Sequence, residues 1–229
     1  NYRDPFDYFY YAFKIQAPLA SFAQYIKEVE NLVKKEIDIA KESYRKNKDY
    51  VALKVNELKA KNLNEDEIGY IIWHYEDPDI EELLEIKKYL NDIYFASLII
   101  TIYSFFERQL FSFCKTFELD QQIKIRDLSG KGVLLYKNYI EKILNITFED
   151  SKEDWEVIKK YQQLRNFIAH DPNYKLPKNS NLLKVFKSLN GLQIEKIDGE
   201  FTVKVTDRIV FDDFLKAVGH ILHDIYFVR

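Results

Sequence analysis

Apolar residues recur at helical spacing over most of this chain. Phe22, Tyr25, Ile26, Val29, Leu32 and Val33 fall three and four apart after Pro18, which suits the first turn of a helix. They predict a long helix from there to about Ala60. Helical spacing returns after Asn64, and Asp79-Ile80-Glu81-Glu82 puts acids where the positive end of a helix dipole favours them. The helix they open is expected to reach Phe117. Its middle, Ile93 to Phe106, is fourteen residues without a charge and apolar nearly all round, the mark of a central helix. Gly130 and Gly132 signal a break before a shorter amphipathic helix at about 133–144. Ser151, three residues before Asp154, reads as a capping box that opens a helix ending at His170. Pro172 closes it, because the residue before a proline avoids helical geometry. A short helix is expected at 182–189.

Only then does the period change to two. Leu192-Gln193-Ile194-Glu195-Lys196-Ile197 and Phe201-Thr202-Val203-Lys204-Val205 alternate around Asp198-Gly199, a strong hairpin cue. Two strands are marginal alone, so the hairpin should pack on the helices. Residues 212–228 form the last helix. The pattern as a whole predicts an all-α, up-and-down helical bundle with a small β-hairpin at about 192–205 before the last helix. Residues 1–17 are a separate aromatic-rich lead-in (Tyr2, Phe6, Tyr8, Phe9, Tyr10, Tyr11, Phe13), and 18–229 a single helical domain.

Composition narrows the picture. Six Gly and five Pro among 229 residues fit long helices with short connections better than a many-turned β fold. Seventeen Tyr and seventeen Phe mean a core built largely of rings. The fourteen-residue apolar run is shorter than the roughly 17–25 residues a membrane span needs, so no membrane association is expected. The single cysteine, Cys114, has no partner for an intrachain disulfide and reads as a core residue. No signal-peptide pattern opens the sequence, and the cytoplasm is the expected compartment. The sequence begins at Asn1 and contains no Met, so the start of the protein is expected to lie before it.

The net charge of −3 gives no global sign of nucleic-acid binding, but its distribution is uneven. Residues 62–86 carry nine acids and no Lys or Arg. Residues 157–190 carry seven basic residues against the single acid Asp171. Within that basic stretch, Lys159, Gln163, Asn166 and His170 are spaced 4-3-4 and share one helix face. The opposite face is an apolar stripe of Val157, Tyr161, Leu164 and Ile168, with Arg165 at its margin. Arg165 and His170 lie about 140° apart around an ideal helix. They converge only if the helix turns at Asp171-Pro172 or if a second copy approaches across a two-fold axis. A histidine can take a proton from a 2′-hydroxyl or return one to a leaving oxygen, and an arginine can hold the phosphate bidentately. Together they point to metal-independent RNA strand scission, with no cofactor. Asn166 is the candidate to orient His170 or bind a phosphate oxygen, and Lys159, Lys160, Lys175 and Lys178 are the candidate RNA-binding cations.

Leu164-Arg165-Asn166-Phe167-Ile168-Ala169-His170 resembles the signature of HEPN domains, an Arg followed by a polar residue and then by His. The run Ile102 to Leu110 is similar to the family's preceding long helix, where an acid commonly recurs; here that acid is Glu107. The resemblance covers roughly residues 80–229. It implies a helical bundle, a homodimer with the motif at the interface, endoribonuclease activity, a toxin or phage-defence role, and an antitoxin or other regulatory protein as partner. One branch of the family carries a Tyr two residues after the His, where a partner nucleotidyltransferase modifies it. Position 172 here is Pro, with Tyr174 the nearest tyrosine, which puts that scheme in doubt. Glu107 is the possible supporting residue, positioning Arg165 or forming an ordinary salt bridge. The alternative reading is a non-catalytic helical interaction or RNA-binding module. His220 and His223, three apart beside Asp224, have metal-ligand spacing but no further ligand at a telling distance, so no metal is assigned. His74, between Trp73 and Tyr75, reads as a packing or surface residue.

Overall fold

The computed structural model describes residues 9–61, 64–75, 78–148, 150–170, 174–197, 199–205 and 207–227; at 71, 73–75, 78–85, 87–89 and 91 the description is of the backbone alone. The chain is mostly helical, as its pattern predicts. Seven α-helices are described: α1 (Ala17–Ala60), α2 (Glu65–Tyr75), α3 (Pro78–Glu118), α4 (Gly132–Lys142), α5 (Lys152–His170), α6 (Leu182–Lys187) and α7 (Ile209–Phe227). Before α7 lies an antiparallel sheet of β1 (Lys175–Leu176), β2 (Leu192–Ile197) and β3 (Glu200–Val205), in the order β1-β3-β2. No helix among the described residues is long and apolar enough to cross a membrane.

Packing divides the chain into two groups, 1–27 with 95–229, and 28–94. In the smaller group Val29, Val33, Ala40 and Val51 are buried along α1 at intervals of four, seven and eleven, a single helical stripe, and Ile68 of α2 is buried too. Asn64 caps α2: its side-chain oxygen accepts the Glu67 N–H at 2.8 Å while the Glu67 carboxylate accepts the Asn64 N–H at 3.1 Å.

The larger group holds the aromatic core. Helical winding is already present at Phe9, the first described residue and well ahead of Pro18, and residues Ala12–Gln16 form a π-helical turn in which the Ala17 N–H reaches the Ala12 carbonyl. Pro18 is therefore not at a helix start. It has no N–H for the carbonyl four residues earlier and its ring crowds that carbonyl, and a widened turn just before it accommodates both. The described part of the lead-in, 9–17, packs on this core: Tyr11 and Ile15 are buried, and Tyr10 stacks on Tyr226. Tyr2, Phe6 and Tyr8 lie outside the described residues.

The core helix of this group is α7, with Val210, Phe211, Phe214, Val218, Ile221, Leu222 and Ile225 fully buried. It packs against α5 through Tyr161 and Phe214, whose rings stack 4.2 Å apart and nearly parallel. The Tyr161 hydroxyl donates to the Val210 carbonyl. Tyr161→Phe is expected to lower stability by about 1 kcal/mol, since a buried hydrogen bond is lost while ring packing stays. A urea midpoint that falls with an unchanged slope would check it. Burial pushes the hydroxyls of Tyr103, Tyr139 and Tyr161 up from their ordinary value. Each holds its proton more tightly folded than unfolded. The stability this contributes is full below about pH 10 and is lost as pH rises toward the folded values. Urea midpoints should therefore fall as pH rises above about 10.

The sheet has one strand more than the hairpin expected from alternation. The residues that β1 adds, Lys175 and Leu176, pair with Thr202 and Phe201. The Val203 N–H donates to the Tyr174 carbonyl at 2.9 Å, so the chain leaving α5 is tied to β3. Two residues are too short a stretch for a period to register.

Candidate functional site

The buried residues of α5 are Trp155, Ile158, Tyr161, Leu164 and Phe167, recurring every three. A three-residue interval falls short of a full 3.6-residue turn, so the buried face winds around the helix. Val157 and Ile168, expected on the apolar stripe, are only half-buried. Trp155, Ile158 and Phe167 join Tyr161 and Leu164 instead. Arg165 then falls between Tyr161 and Ile158 in angle, inside the buried sector rather than at its margin.

Arg165 is accordingly half-buried. Its guanidinium carbon lies 6.0 Å from the centre of the Tyr103 ring on α3, a cation–π arrangement. One terminal nitrogen, Nη1, donates to the Asn166 side-chain oxygen at 3.1 Å. The Nε–H is buried without a partner among the described residues. The Tyr103 hydroxyl is buried as well; burial, and then the charge of Glu107, raise it against the opposing pull of Arg165 and of the Gln162 side chain.

Asn166 and His170 are exposed, on the polar face expected for them. Asn166 is engaged with Arg165 and not with His170, so in this state it does not orient the imidazole. His170 ends α5. Residues 171–173, where a turn of the helix was expected to matter, lie outside the described residues.

Glu107 is half-buried on α3 and makes no ion pair with Arg165 among the described residues. Its carboxylate faces the start of α4 instead. A Cβ on Gly132, which has φ +61°, would sit 2.9 Å from Glu107 Oε1, and the Glu107 charge raises Tyr136 after burial does. Of the proposed cations, Lys159 pairs with Glu156 at 2.5 Å and Lys175 with Glu200 at 3.3 Å. Lys178 is exposed in the turn after β1, and Lys160 is half-buried.

Other sequence candidates are dispersed. His220 Nδ1 is 3.0 Å from Asp154 Oδ2, while His223 packs on Tyr11 and Phe227. The two histidines thus serve different neighbours, and no group of three or more metal-ligating side chains occurs among the described residues. Asp154 is spent on His220, and the Ser151 hydroxyl is buried without a partner, so the expected capping box does not form. Cys114 is fully buried and its thiol is pushed up to about 12, mainly by burial, which makes it a poor nucleophile. His74 lies in α2, its side chain outside the description.

Sequence spacing missed the Tyr103–Arg165 pairing, because it joins two helices sixty-two positions apart. Comparison with family models, with curated proteins and with solved structures finds no match to this chain.

Proposed function

We propose that the chain is a metal-independent endoribonuclease of HEPN type. In it Arg165 clamps the scissile phosphate, and His170 moves the proton between the 2′-hydroxyl and the leaving oxygen. The observation that carries this reading is the Arg165 side chain. Its helix position is turned away from His170, yet its Nη1 reaches Asn166, one helical turn before His170 on the polar face. Reach of the side chain thus narrows the angular gap that the helix leaves. Its buried Nε–H, without a partner among the described residues, is a donor that a phosphate oxygen would satisfy after a small shift. Asn166 would then trade Arg165 for a phosphate oxygen.

A homodimer with α5 at its interface brings a second Arg165–His170 pair to the same cleft. The role is a toxin or phage-defence effector held in check by a regulatory protein, acting in the cytoplasm. The test is direct: purified protein incubated with RNA in EDTA, beside His170→Ala and Arg165→Ala. Intact RNA with wild type across substrates, or equal cutting by all three, would exclude this site.

One observation favours the alternative, a non-catalytic interaction module. In the 28–94 group Leu32, Ile39 and Leu53 of α1 and Ile86, Leu90 and Ile93 of α3 are exposed at intervals of seven and fourteen or of three and four. Apolar helix faces of this kind suit a protein partner. The same RNA assay separates the two readings.

A further inference from the structure

The start of α5 borders a cleft of about 440 Å³ that the Arg165–His170 site does not use. Three ammonium groups line it: Lys137 from α4, and Lys152 and Lys159 from α5. Its floor is aromatic, with the Phe148 and Trp155 rings edge to face at 5.1 Å and the Lys137 ammonium over both, 5.5 and 5.2 Å from their centres. Two carboxylates also reach the cleft, Glu141 paired with Lys137 and Glu156 paired with Lys159. Lys152 has no ion pair among the described residues, which leaves the cleft one positive charge in excess.

The Trp155 indole lacks a partner here. Trp155 is 2% exposed, and among the described residues its N–H donates to nothing. A buried donor with no acceptor is costly, so it favours an acceptor arriving from outside. The positive end of the α5 dipole favours an anionic one.

We propose that this cleft seats a phosphate of a single-stranded RNA lying along α5, a few nucleotides from the scission point. The proposal rests on the ribonuclease reading for the identity of the strand. Lys159 shares the polar face of α5 with Asn166 and His170, and lies about 16 Å from His170 along the axis. A strand on that face meets both places. Glu141 and Glu156 hold Lys137 and Lys159; neither carboxylate is buried, so each returns to water when a phosphate takes its lysine. Lifting of Lys137 from the Trp155 ring opens the way to the indole N–H.

The test uses the whole protein carrying His170→Ala and a labelled single-stranded RNA with 2′-O-methyl riboses, followed by fluorescence anisotropy over a salt series. Lys137→Ala with Lys152→Ala is expected to weaken binding at least about tenfold. It should also flatten the slope of log K against log salt by about 0.7 for each phosphate no longer neutralised. Trp155→Phe keeps an aromatic ring, removes the N–H and should weaken binding several-fold. If the lysine pair binds with unchanged affinity and slope, the proposal is wrong, whether or not the tryptophan variant folds. Displacement of the strand by inorganic phosphate or adenosine monophosphate as readily as by longer RNA would overturn the strand assignment. The two readings fail separately. Wild type that leaves RNA uncut while the lysine pair loses binding removes the nuclease and keeps the cleft; cutting with cleft-independent binding does the reverse.

Discussion

His170→Ala is expected to lower RNA scission in EDTA by about 10²–10⁴-fold, the range for loss of a positioned general acid–base. The substitution is structurally mild, since His170 is exposed at the end of α5 and its imidazole makes no hydrogen bond among the described residues. Its melting curve should match the parent, which assigns any lost activity to chemistry. Arg165→Ala should cost a comparable factor, through loss of charge stabilisation on the phosphate. It also empties a half-buried position beside Tyr103, so its folded fraction must be measured too. Arg165→Lys keeps the charge and loses the fork, and is expected to recover only part of the rate. The shared cleft makes a sharper demand. If each site takes Arg165 from one copy and His170 from the other, mixing the two inactive alanine variants creates dimers with one intact site, and scission returns. No recovery on mixing, with dimers demonstrably exchanged, would place both residues of a site on one chain.

The candidate site was only half legible in the sequence, for a physical reason. Exposure of Asn166 and His170 follows from their own helix, since residues spaced four apart share a face whatever packs behind. The setting of Arg165 does not. It depends on Tyr103, brought up by α3, and on a buried face that winds because Trp155 and Phe167 find aromatic partners on other elements. The same division runs through the fold. The long helices were readable because their apolar spacing is local, and the hairpin because Asp198-Gly199 separates two alternating runs. The start of α1 was obscured by a π-helical turn that lets winding run through Pro18. The Ser151–Asp154 cap failed for a tertiary reason, as His220 on α7 takes the carboxylate. The lysines of the α5 cleft share no signal along the chain. Lys159 stands out by its helix face, but Lys137 and Lys152 do not, because only folding brings α4 beside the start of α5.

Gly191→Ala should produce the largest stability loss of any single methyl added to this chain's glycines. Gly191 joins α6 to β2 with φ +79°, a conformation that costs an L side chain about 1–2 kcal/mol. A Cβ there would also lie 2.8 Å from the Val210 nitrogen, 2.8 Å from Ile209 Cγ2 and 2.9 Å from the Asp207 carbonyl. Two of those three atoms are backbone, and they have little room to yield. Asp207 caps the first turn of α7 through the Ile209 N–H at 2.9 Å, and the Val210 carbonyl accepts the Tyr161 hydroxyl of α5. Moving the turn away disturbs Val210 and Phe211, both fully buried. Overpacking of this kind adds about 1–3 kcal/mol, so a total of roughly 2–5 kcal/mol is expected, read from the urea midpoint. Gly199→Ala is the control: it shares the positive φ, but nothing lies within 4 Å of the added carbon, and only the strain should register. Equal losses for the two would refute the steric account. The comparison also separates scaffold from site. Gly191 lies on the brace formed by the sheet and the start of α7, so its substitution should lower RNA scission only through the folded fraction. His170→Ala should lower scission per folded molecule.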